Sequence, residues 1–457
     1  MTFPLPLTPF EEYLLRDGTP SHPLDFFYRL SFDGPLDHAA VAIAAAEAFR
    51  RHPLLVARVE ERAGLAPRFT AGHAPAVMTL AAHGDNDLPA LPALDLAAGP
   101  LARIVVIDRP TGTGDVLAQF HHVACDGLGA LAFLADFCGL LDATLRGETR
   151  GGPPPDPRGL RGRGRYGLDS WKLLRSLPAQ ARGLEGVWKF LRHRPVRLTH
   201  DAAHADAPLA RPLQRAEAAF TAGEARGLRR AATRAGVSLN ELAAAALFEA
   251  LLEALPAAAC THARDVVRLS IPMNMRRPAD RRLPAANVVS MVFLDRTRTE
   301  ITSAGLAASL HAEMQLIKRL GLGMTFLFTV AAARRMPGGI ARLVADRSTA
   351  ATALFTNLGR ILARPADRRG GLVNVGPLTL VAVEPIAPLR RGTAVAVAAA
   401  EYGGRLTFLF HTDPSCLDAA ATAALRNAFA ARLRRRLDAT PETTAREVAA
   451  VAAEACA

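Results

Sequence analysis

The segment from His121 to Gly127, with the sequence HHVACDG, is the feature that most constrains how this chain can fold. It follows an alternating apolar stretch at residues 116–120 and precedes a segment rich in Gly, Ala and Leu at about residues 129–143. This order predicts a strand, a tight turn and a helix. Neighbouring side chains of an extended segment point to opposite sides, so only one of the two histidines can face a given cavity.

An imidazole at the end of a strand can act as a general base, because its ordinary pKa lies near neutral pH. We assign this role to His122. Asp126 precedes a glycine and an apolar helix, so we expect it to be drawn inward, where a buried carboxylate needs a cation. Gly127 allows a close approach that a side chain would block.

Three other interpretations of the heptad stay open at this point. The two histidines and the Asp-Gly pair can be ordinary core or loop residues. His121, His122 and Asp126 can be metal ligands, although adjacent residues rarely converge on one ion and no HxH or HExxH spacing is present. Cys125 can be a nucleophile, although a buried thiol is more often a small core residue.

The heptad resembles the signature HHxxxDG of the CoA- and carrier-dependent acyltransferase superfamily. That superfamily includes chloramphenicol acetyltransferases, condensation domains of peptide synthetases, polyketide-associated acyltransferases and wax ester synthase/diacylglycerol acyltransferases. Here the motif lies about a quarter of the way along the chain, which resembles the condensation-domain branch. Short elements in the family's order extend the resemblance over about residues 5–435; they include residues 51–54 (RHPL), 271–277 (IPMNMRR), 287–290 (NVVS) and 356–359 (TNLG).

The resemblance implies an α+β (two-layer α/β) fold. Two chloramphenicol acetyltransferase-like sandwich domains would form a V with a tunnel between them. We predict the first domain at residues 1–200, with a flexible Pro/Gly/Arg segment at about 146–165, and the second domain at residues 201–457.

The resemblance also implies roles for residues outside the heptad. Asp126 would pair with an arginine of the second half, for which Arg276 is the first choice and Arg277 the second. The second half would also border the substrate cleft through Asn287, Ser290 and Asn357, although each of these polar residues can equally cap a strand or turn. His121 and Gly127 would belong to the structural part of the motif, and no metal ligand is expected.

The implied function is acyl transfer from a thioester to a hydroxyl or amine, with His122 as general base and no acyl-enzyme. CoA or phosphopantetheine would enter as the thioester co-substrate, carried by an acyl-CoA or an acyl-carrier protein, and no cofactor would be bound. The acceptor would be a small-molecule alcohol or amine. Two alternatives are a stand-alone, amide-forming condensation domain and a non-catalytic member of the fold that docks a carrier or a membrane.

Composition narrows the possible partners. The net charge of +12 is carried mainly by arginine, and it favours acidic partners. Nucleic acid is not expected, because aromatic residues make up only 6% and no binding motif is present. The five cysteines are scattered, as in a reduced protein, and neither a signal peptide nor a transmembrane segment is expected. A cytoplasmic monomer is therefore the expectation.

A basic helix is predicted at about residues 170–193, with Trp171 and Trp188 among its apolar residues and Pro178 within it. The favoured interpretation is a helix that packs on its own protein; the alternative is weak peripheral contact with a membrane. Further along the chain, Thr221 with Glu224 and Ser238 with Glu241 form capping-box patterns that predict two helix starts.

Overall fold

The computed structural model describes residues 3–82, 84, 88–148, 152–168, 170–198, 213–256, 259–260, 262, 264–345, 351–362, 368–369 and 371–438. Its strands are β1 (Leu5–Pro6), β2 (Asp25–Phe32), β3 (Arg58–Glu60), β4 (Arg68–Thr70), β5 (Met78–Ala81), β6 (Ala102–Asp108), β7 (Gly114–His121), β8 (Arg194–Pro195), β9 (Gln214–Phe220), β10 (Asp265–Asn274), β11 (Val289–Arg296), β12 (Ala353–Arg360), β13 (Arg368–Arg369), β14 (Leu372–Val375), β15 (Leu378–Ile386), β16 (Val395–Tyr402) and β17 (Arg405–Thr412).

Helices alternate with these strands. They are α1 (Pro9–Asp17), α2 (His38–Arg51), α3 (Gly127–Leu145), α4 (Ser170–Arg192), α5 (Ala222–Arg234), α6 (Leu239–Ala254), α7 (Arg298–Thr302), α8 (Leu306–Leu320), α9 (Gly323–Arg334), α10 (Gly339–Ala345) and α11 (Ala419–Asp438), with 3₁₀ helices at Pro157–Arg165 and Pro278–Arg282.

Two lobes each contain a sheet covered by helices. In the first lobe the strand order is β13-β14-β15-β2-β7-β6-β5, and α2 packs against α3 over the sheet. In the second lobe the order is β11-β10-β12-β16-β17-β9, with α6 and α11 packed together. Each lobe has its own apolar core.

The chain does not divide cleanly after residue 200. Strands β13–β15 come from the second half of the sequence, yet β15 pairs antiparallel with β2 in the first sheet, for example Val383 with Leu30. The predicted boundary therefore misses a crossover that ties the lobes together. A boundary taken from sequence cannot show such pairing, because the paired residues lie more than 340 positions apart.

Side-chain caps fix where several helices start. Asp37 accepts hydrogen bonds from the amides of Ala39 and Ala40 at the start of α2. Both predicted capping boxes form, at the starts of α5 and α6. These caps satisfy amides that the first helical turn leaves unpaired, which fixes where each helix begins.

Within the predicted flexible segment, residues 157–165 form a 3₁₀ helix that is docked on the first lobe. Arg163 is buried, and its guanidinium donates to both carboxylate oxygens of Glu11 at 2.7 and 2.6 Å. Glu11 in turn belongs to a capping box with Thr8 that starts α1. This ion pair attaches the segment to α1, which the Gly/Arg composition does not indicate.

Helix α3 is long and apolar enough to cross a membrane by length and composition alone, with a mean hydropathy of 1.6, which the sequence analysis did not expect. Two bent helix pairs, α5 with α6 and α8 with α9, pass the same test. In this fold α3 is packed inside the first lobe. Its Phe133 ring lies 4.9 Å from the Phe49 ring and 5.6 Å from the Phe120 ring.

Candidate active site

The heptad lies where β7 ends, between β2 and β6. The His121 amide donates to the Leu101 carbonyl and the His122 amide to the Leu24 carbonyl, both at 3.0 Å. The chain then turns, with Ala124 donating back to the His121 carbonyl at 3.0 Å, and α3 starts at Gly127. Two neighbouring strand ends therefore hold the backbone of both histidines.

His121 is a buried structural residue. Its Nδ1 accepts the Val123 amide at 3.0 Å, so the proton of the neutral ring is on Nε2. Burial, aided by the nearby His122, lowers the pKa of His121 to about 3. The ring is therefore neutral at physiological pH and holds the turn.

His122 points to the other side and is partly exposed. Its ring lies 4.5 Å from the Phe26 ring, with the planes tilted by 35°. Nδ1 is buried and has no hydrogen-bond partner among the described residues. Burial lowers the pKa of His122 to about 4, an effect that the Asp126 carboxylate partly opposes. Of the two histidines, His122 is the one with solvent access.

Both carboxylate oxygens of Asp126 accept hydrogen bonds from other parts of the protein. Oδ1 accepts the Gly129 amide at 2.8 Å and so caps α3. Oδ2 accepts the Val288 amide and a guanidinium proton of Arg276, each at 2.8 Å. The structure thus brings Arg276 of the second half to Asp126, while Arg277 turns away to Asp280. Asp126 has no oxygen left to serve a substrate.

Residues 285–288 attach the second half of the chain to the heptad. The Ala285 amide donates to Nδ1 of His52 at 2.8 Å. Asn287 is buried, and its amide donates to the carbonyls of His122 and Val123 at 2.8 and 3.0 Å. Asn287 therefore positions the backbone of His122, a more specific role than the expected cleft border.

Two glycines let other groups approach the start of α3. A Cβ at Gly127 would lie 3.0 Å from Leu358 and 3.3 Å from the Tyr28 hydroxyl, which donates to the Gly127 carbonyl. A Cβ at Gly129 would lie 2.7 Å from the Ala286 carbonyl oxygen. Gly129, which the sequence analysis did not single out, is the tighter of the two contacts.

The other two predicted cleft residues, Ser290 and Asn357, form hydrogen bonds outside the heptad, and their place at a substrate cleft stays a prediction. Ser290 is fully buried and donates to the carbonyl of Gly323, the first residue of α9. Asn357 is exposed on β12, where it bonds to Asn240 and caps the Gly359 amide. Of the three proposed cleft residues, only Asn287 reaches the heptad in this structure.

Sequence analysis missed a charged group near His122. Arg390, in the loop after β15, donates to both Asp17 oxygens at 2.5 and 2.7 Å and to the Tyr13 hydroxyl at 2.6 Å. The charges of Asp17 and Arg390 both act on the pKa of His122, in opposite directions. No sequence signal links Asp17 to Arg390, because 373 residues separate them.

The alternative chemistries for the heptad find no support in this geometry. Cys125 is fully buried, and burial raises the pKa of its thiol well above the ordinary value, which disfavours a thiolate nucleophile. Within the described part of the chain, no three His, Cys, Asp or Glu residues come together as metal ligands would. His121 and His122 point apart, as expected of adjacent residues.

A neighbouring cavity lies on the other face of the first sheet. Along β2, Phe26 faces His122, whereas Asp25 and Phe27 face the opposite side and line an apolar cavity with residues such as Leu117 and Leu389. This cavity is thus separated from the His122 ring by the sheet. The predicted tunnel through His122 stays a prediction.

No protein-family model matches the chain, and no curated protein matches it in sequence. Solved structures do match. The first condensation domain of the calcium-dependent antibiotic synthetase, in complex with a substrate analogue, aligns with a TM-score of 0.68 at 16% identity over 95% of this chain and 97% of that chain.

Two further similar structures belong to peptide synthetases. The epimerization domain from the third module of tyrocidine synthetase B aligns with a TM-score of 0.67 at 15% identity over 96% of this chain and 98% of that chain. A mutant starter condensation domain of rhizomide synthetase, in complex with C8-CoA and Leu-SNAC, aligns with a TM-score of 0.66 at 15% identity, covering 95% of both chains. The predicted two-lobed, acetyltransferase-like fold is confirmed, and its resemblance is to the condensation-domain branch.

Proposed function

We propose that this protein transfers an acyl group from a thioester to an amine, forming an amide in the manner of a condensation domain. The observation that carries the proposal is His122, which is held by two strand ends and Asn287 with its ring directed away from the structural His121. Similar structures include one in complex with both an acyl-CoA and an aminoacyl thioester analogue, Leu-SNAC. We extend that substrate class to this chain.

The chemistry needs one proton acceptor. The amine nitrogen attacks the thioester carbonyl, the N–C bond forms, and the nitrogen then carries a surplus proton. His122 takes that proton, the C–S bond breaks, and the proton goes to the departing thiolate, leaving an amide and a free thiol. Holding donor and acceptor together supplies much of the rate gain, so no acyl-enzyme is required.

The similar structures favour an amine over a hydroxyl acceptor, since they belong to peptide synthetases and one of them holds Leu-SNAC. The lowered pKa of His122 is compatible with this choice. An imidazole with a pKa of about 4 is neutral at pH 7, so it is ready to accept a proton, but it is a weak base. A hydroxyl must lose its proton as it attacks, which demands a stronger base. A neutral amine attacks unaided and becomes acidic only as the bond forms, so a weak base suffices. Amide formation, given only as an alternative in the sequence analysis, is therefore the function we favour.

Asp126 and Arg276 have a positioning role in this proposal. Their ion pair joins the start of α3 to the loop after β10, and so it holds the heptad against the second half. A CoA or phosphopantetheine thioester is the proposed donor, and a small molecule carrying an amine is the proposed acceptor. A non-catalytic protein of this fold would need no partly exposed imidazole at this position, which makes binding alone the weaker proposal.

The test is thiol release from acyl-CoA and acyl-SNAC donors, with a matched panel of amines and alcohols as acceptors. His122→Ala should lower the rate by about 10²- to 10⁴-fold, the usual contribution of a positioned acid–base group, with an unchanged melting temperature. His38→Ala, which changes an exposed histidine at the start of α2, is the control and should retain activity.

An unchanged rate in the His122→Ala variant would contradict the assignment of His122 as the general base. Turnover with alcohols but not amines would support acyl transfer but contradict the proposed formation of an amide. Binding of thioesters without turnover in the unmodified protein would favour the non-catalytic alternative.

A further inference from the structure

Helix α4 is docked on the second lobe by one face. The Thr325 hydroxyl of α9 donates to the Gln180 side chain at 2.8 Å, and Gly183 lies directly over the same threonine. Further along, the Phe190 ring packs 4.7 Å from the Phe293 ring of β11. The helical spacing of Gln180, Gly183 and Phe190 shows that these contacts share one side of α4.

A neighbouring side of α4 carries an apolar stripe in the sequence. Leucines, an alanine and a tryptophan recur at intervals of three and four residues, at positions 174, 177, 181, 184, 188 and 191. At 3.6 residues per turn, these positions lie on one helix face, about half a turn from Phe190. The described members of this stripe are open to solvent, since Trp188 and Leu191 are each 55% exposed.

Basic residues accompany the stripe. Residues 170–192 contain five Lys or Arg and one acidic residue, and they include two of the three lysines of the whole chain. The acidic residue, Glu185, is paired with Lys189 at 2.8 Å, and the Arg192 guanidinium lies 4.8 Å from the centre of the Trp188 ring. Glu313 of the adjacent α8 is paired with Arg296. Among the described residues, the exposed surface at the end of α4 is thus apolar at Trp188 and Leu191 and basic at Lys189 and Arg192.

We propose that the outer face of α4 docks this protein on an anionic lipid membrane. A helix lying in the interface buries its apolar face at the boundary between headgroups and acyl chains, while its basic residues meet anionic headgroups. Exposed tryptophan suits this depth, because its ring is amphipathic. Trp188 and Leu191 are exposed although Phe190 between them in the helix is docked, so contact with a membrane through these two residues needs no rearrangement of the lobe.

The sequence analysis treated packing on the protein and contact with a membrane as alternatives for this helix. The structure allows both at once, since Gln180, Gly183 and Phe190 contact the second lobe. Trp188 and Leu191 of the same helix are exposed. The inference is independent of the proposed amide formation, because it concerns binding to lipid and not turnover.

Vesicle co-sedimentation of the full chain tests this docking. We expect binding to phosphatidylcholine vesicles that contain phosphatidylglycerol, weaker binding at high salt, and little binding to phosphatidylcholine alone. Trp188→Glu with Leu191→Glu should lower the partition coefficient at least about tenfold, because it replaces buried apolar area with charge. Lys189→Gln with Arg192→Gln should lower it about fivefold per residue changed on anionic vesicles.

The matched control is Ile43→Glu with Leu65→Glu. These residues, on α2 and in the loop between β3 and β4, are 60% and 62% exposed, so the pair changes the same charge and a similar exposed area in the first lobe. Vesicle binding should survive this change. If the Trp188, Leu191 glutamate variant does not fold by circular dichroism, the serine variant of the same pair replaces it.

Three outcomes would overturn the proposal. They are failure of the unmodified protein to bind anionic vesicles, equal binding by the Trp188, Leu191 variant, and an equal loss in the control. If the unmodified protein binds no vesicles but self-associates or binds an acidic carrier protein through Trp188 and Leu191, this face is a protein interface instead.

Discussion

A strand, a turn and a helix follow one another at the end of β7 in the first lobe and again at the end of β17 in the second. Each strand lies between two antiparallel neighbours, β2 and β6 for β7, and β16 and β9 for β17. Each has a Phe-His pair near its end, Phe120-His121 and Phe410-His411, and an aspartate begins each following helix. The two lobes thus contain the same local unit.

The histidine at the strand end, His121 in β7 and His411 in β17, has the same environment in both units. His121 and His411 are both buried, and burial is the main cause that lowers the pKa of each ring to about 3. This histidine therefore belongs to the packing of the strand end, and its presence does not indicate catalysis. The comparison explains why one histidine of the heptad is structural.

The two units differ in the residues that follow this histidine. His122 directs a partly exposed ring away from the strand, whereas Thr412 is buried and its hydroxyl bonds to Thr422 of α11 at 2.6 Å. Asp126 binds Arg276 from the other half of the chain, whereas Asp418 caps its own helix through the Ala421 amide at 2.7 Å. A site arises only where the unit has a second histidine and a charged link between the halves.

The largest difference in stability should be seen at the two helix-capping aspartates. Asp126→Asn keeps the cap but leaves the Arg276 guanidinium without its counter-charge. Breaking a buried ion pair in this way costs about 3–5 kcal/mol, and we expect the lower end because the Arg276 side chain is 18% exposed. Urea unfolding measures this cost.

Asp418→Asn is the matched control, since asparagine caps helices as well as aspartate and Asp418 is exposed. Its unfolding free energy should stay within about 0.5 kcal/mol of the unmodified protein. Equal losses in both variants would show that the link between the halves adds nothing to the cap.

A smaller effect, of opposite sign, should follow His411→Leu. Neither ring nitrogen of His411 has a hydrogen-bond partner among the described residues, and the ring is fully buried. Removing a buried, unpaired polar group of similar size should raise the unfolding free energy by about 1–2 kcal/mol at pH 7. Thiol-release activity should be unchanged, so a fall in activity would contradict the division of roles between the lobes.

The pH dependence of stability should sharpen the same comparison. His121, His122 and His411 have pKa values of about 3, 4 and 3 in the folded chain, below the ordinary value of 6.5. The unfolded chain therefore binds more protons below pH 6.5, and stability is lost as the pH falls from 6.5 towards 4. In His411→Leu this loss should be smaller by about 1.4 kcal/mol per pH unit. Urea titrations at pH 7, 6, 5 and 4.5 measure the slope; identical slopes would mean that His411 is not buried as a neutral ring.

Local patterns predicted much of the fold. The strand and helix around the heptad and the two capping boxes lie within a few residues of their predicted positions. These features depend on alternation and caps, which act over a few residues. The first helix, α1, was missed, although Thr8 and Glu11 form the same kind of capping box.

Features that depend on distant residues were predicted less well. The crossover of β15 to β2 was not foreseen. The cleft role of Ser290 and Asn357 stays a prediction, since both form hydrogen bonds outside the heptad. Arg276 was chosen correctly over Arg277 as the partner of Asp126, but by resemblance to a family and not by any local rule. No local sequence pattern predicts the ion pair of Asp17 and Arg390 near His122.

The sequence by itself determined the strand, turn and helix that carry the two histidines, and with them the chemical groups available at this point. Alternation along an extended chain also required the two rings to point apart. It did not determine which ring is enclosed, because that depends on what packs on each side of β7. Only the tertiary structure decided this, by placing residues 285–288 and Arg276 against the turn and leaving the His122 ring partly open.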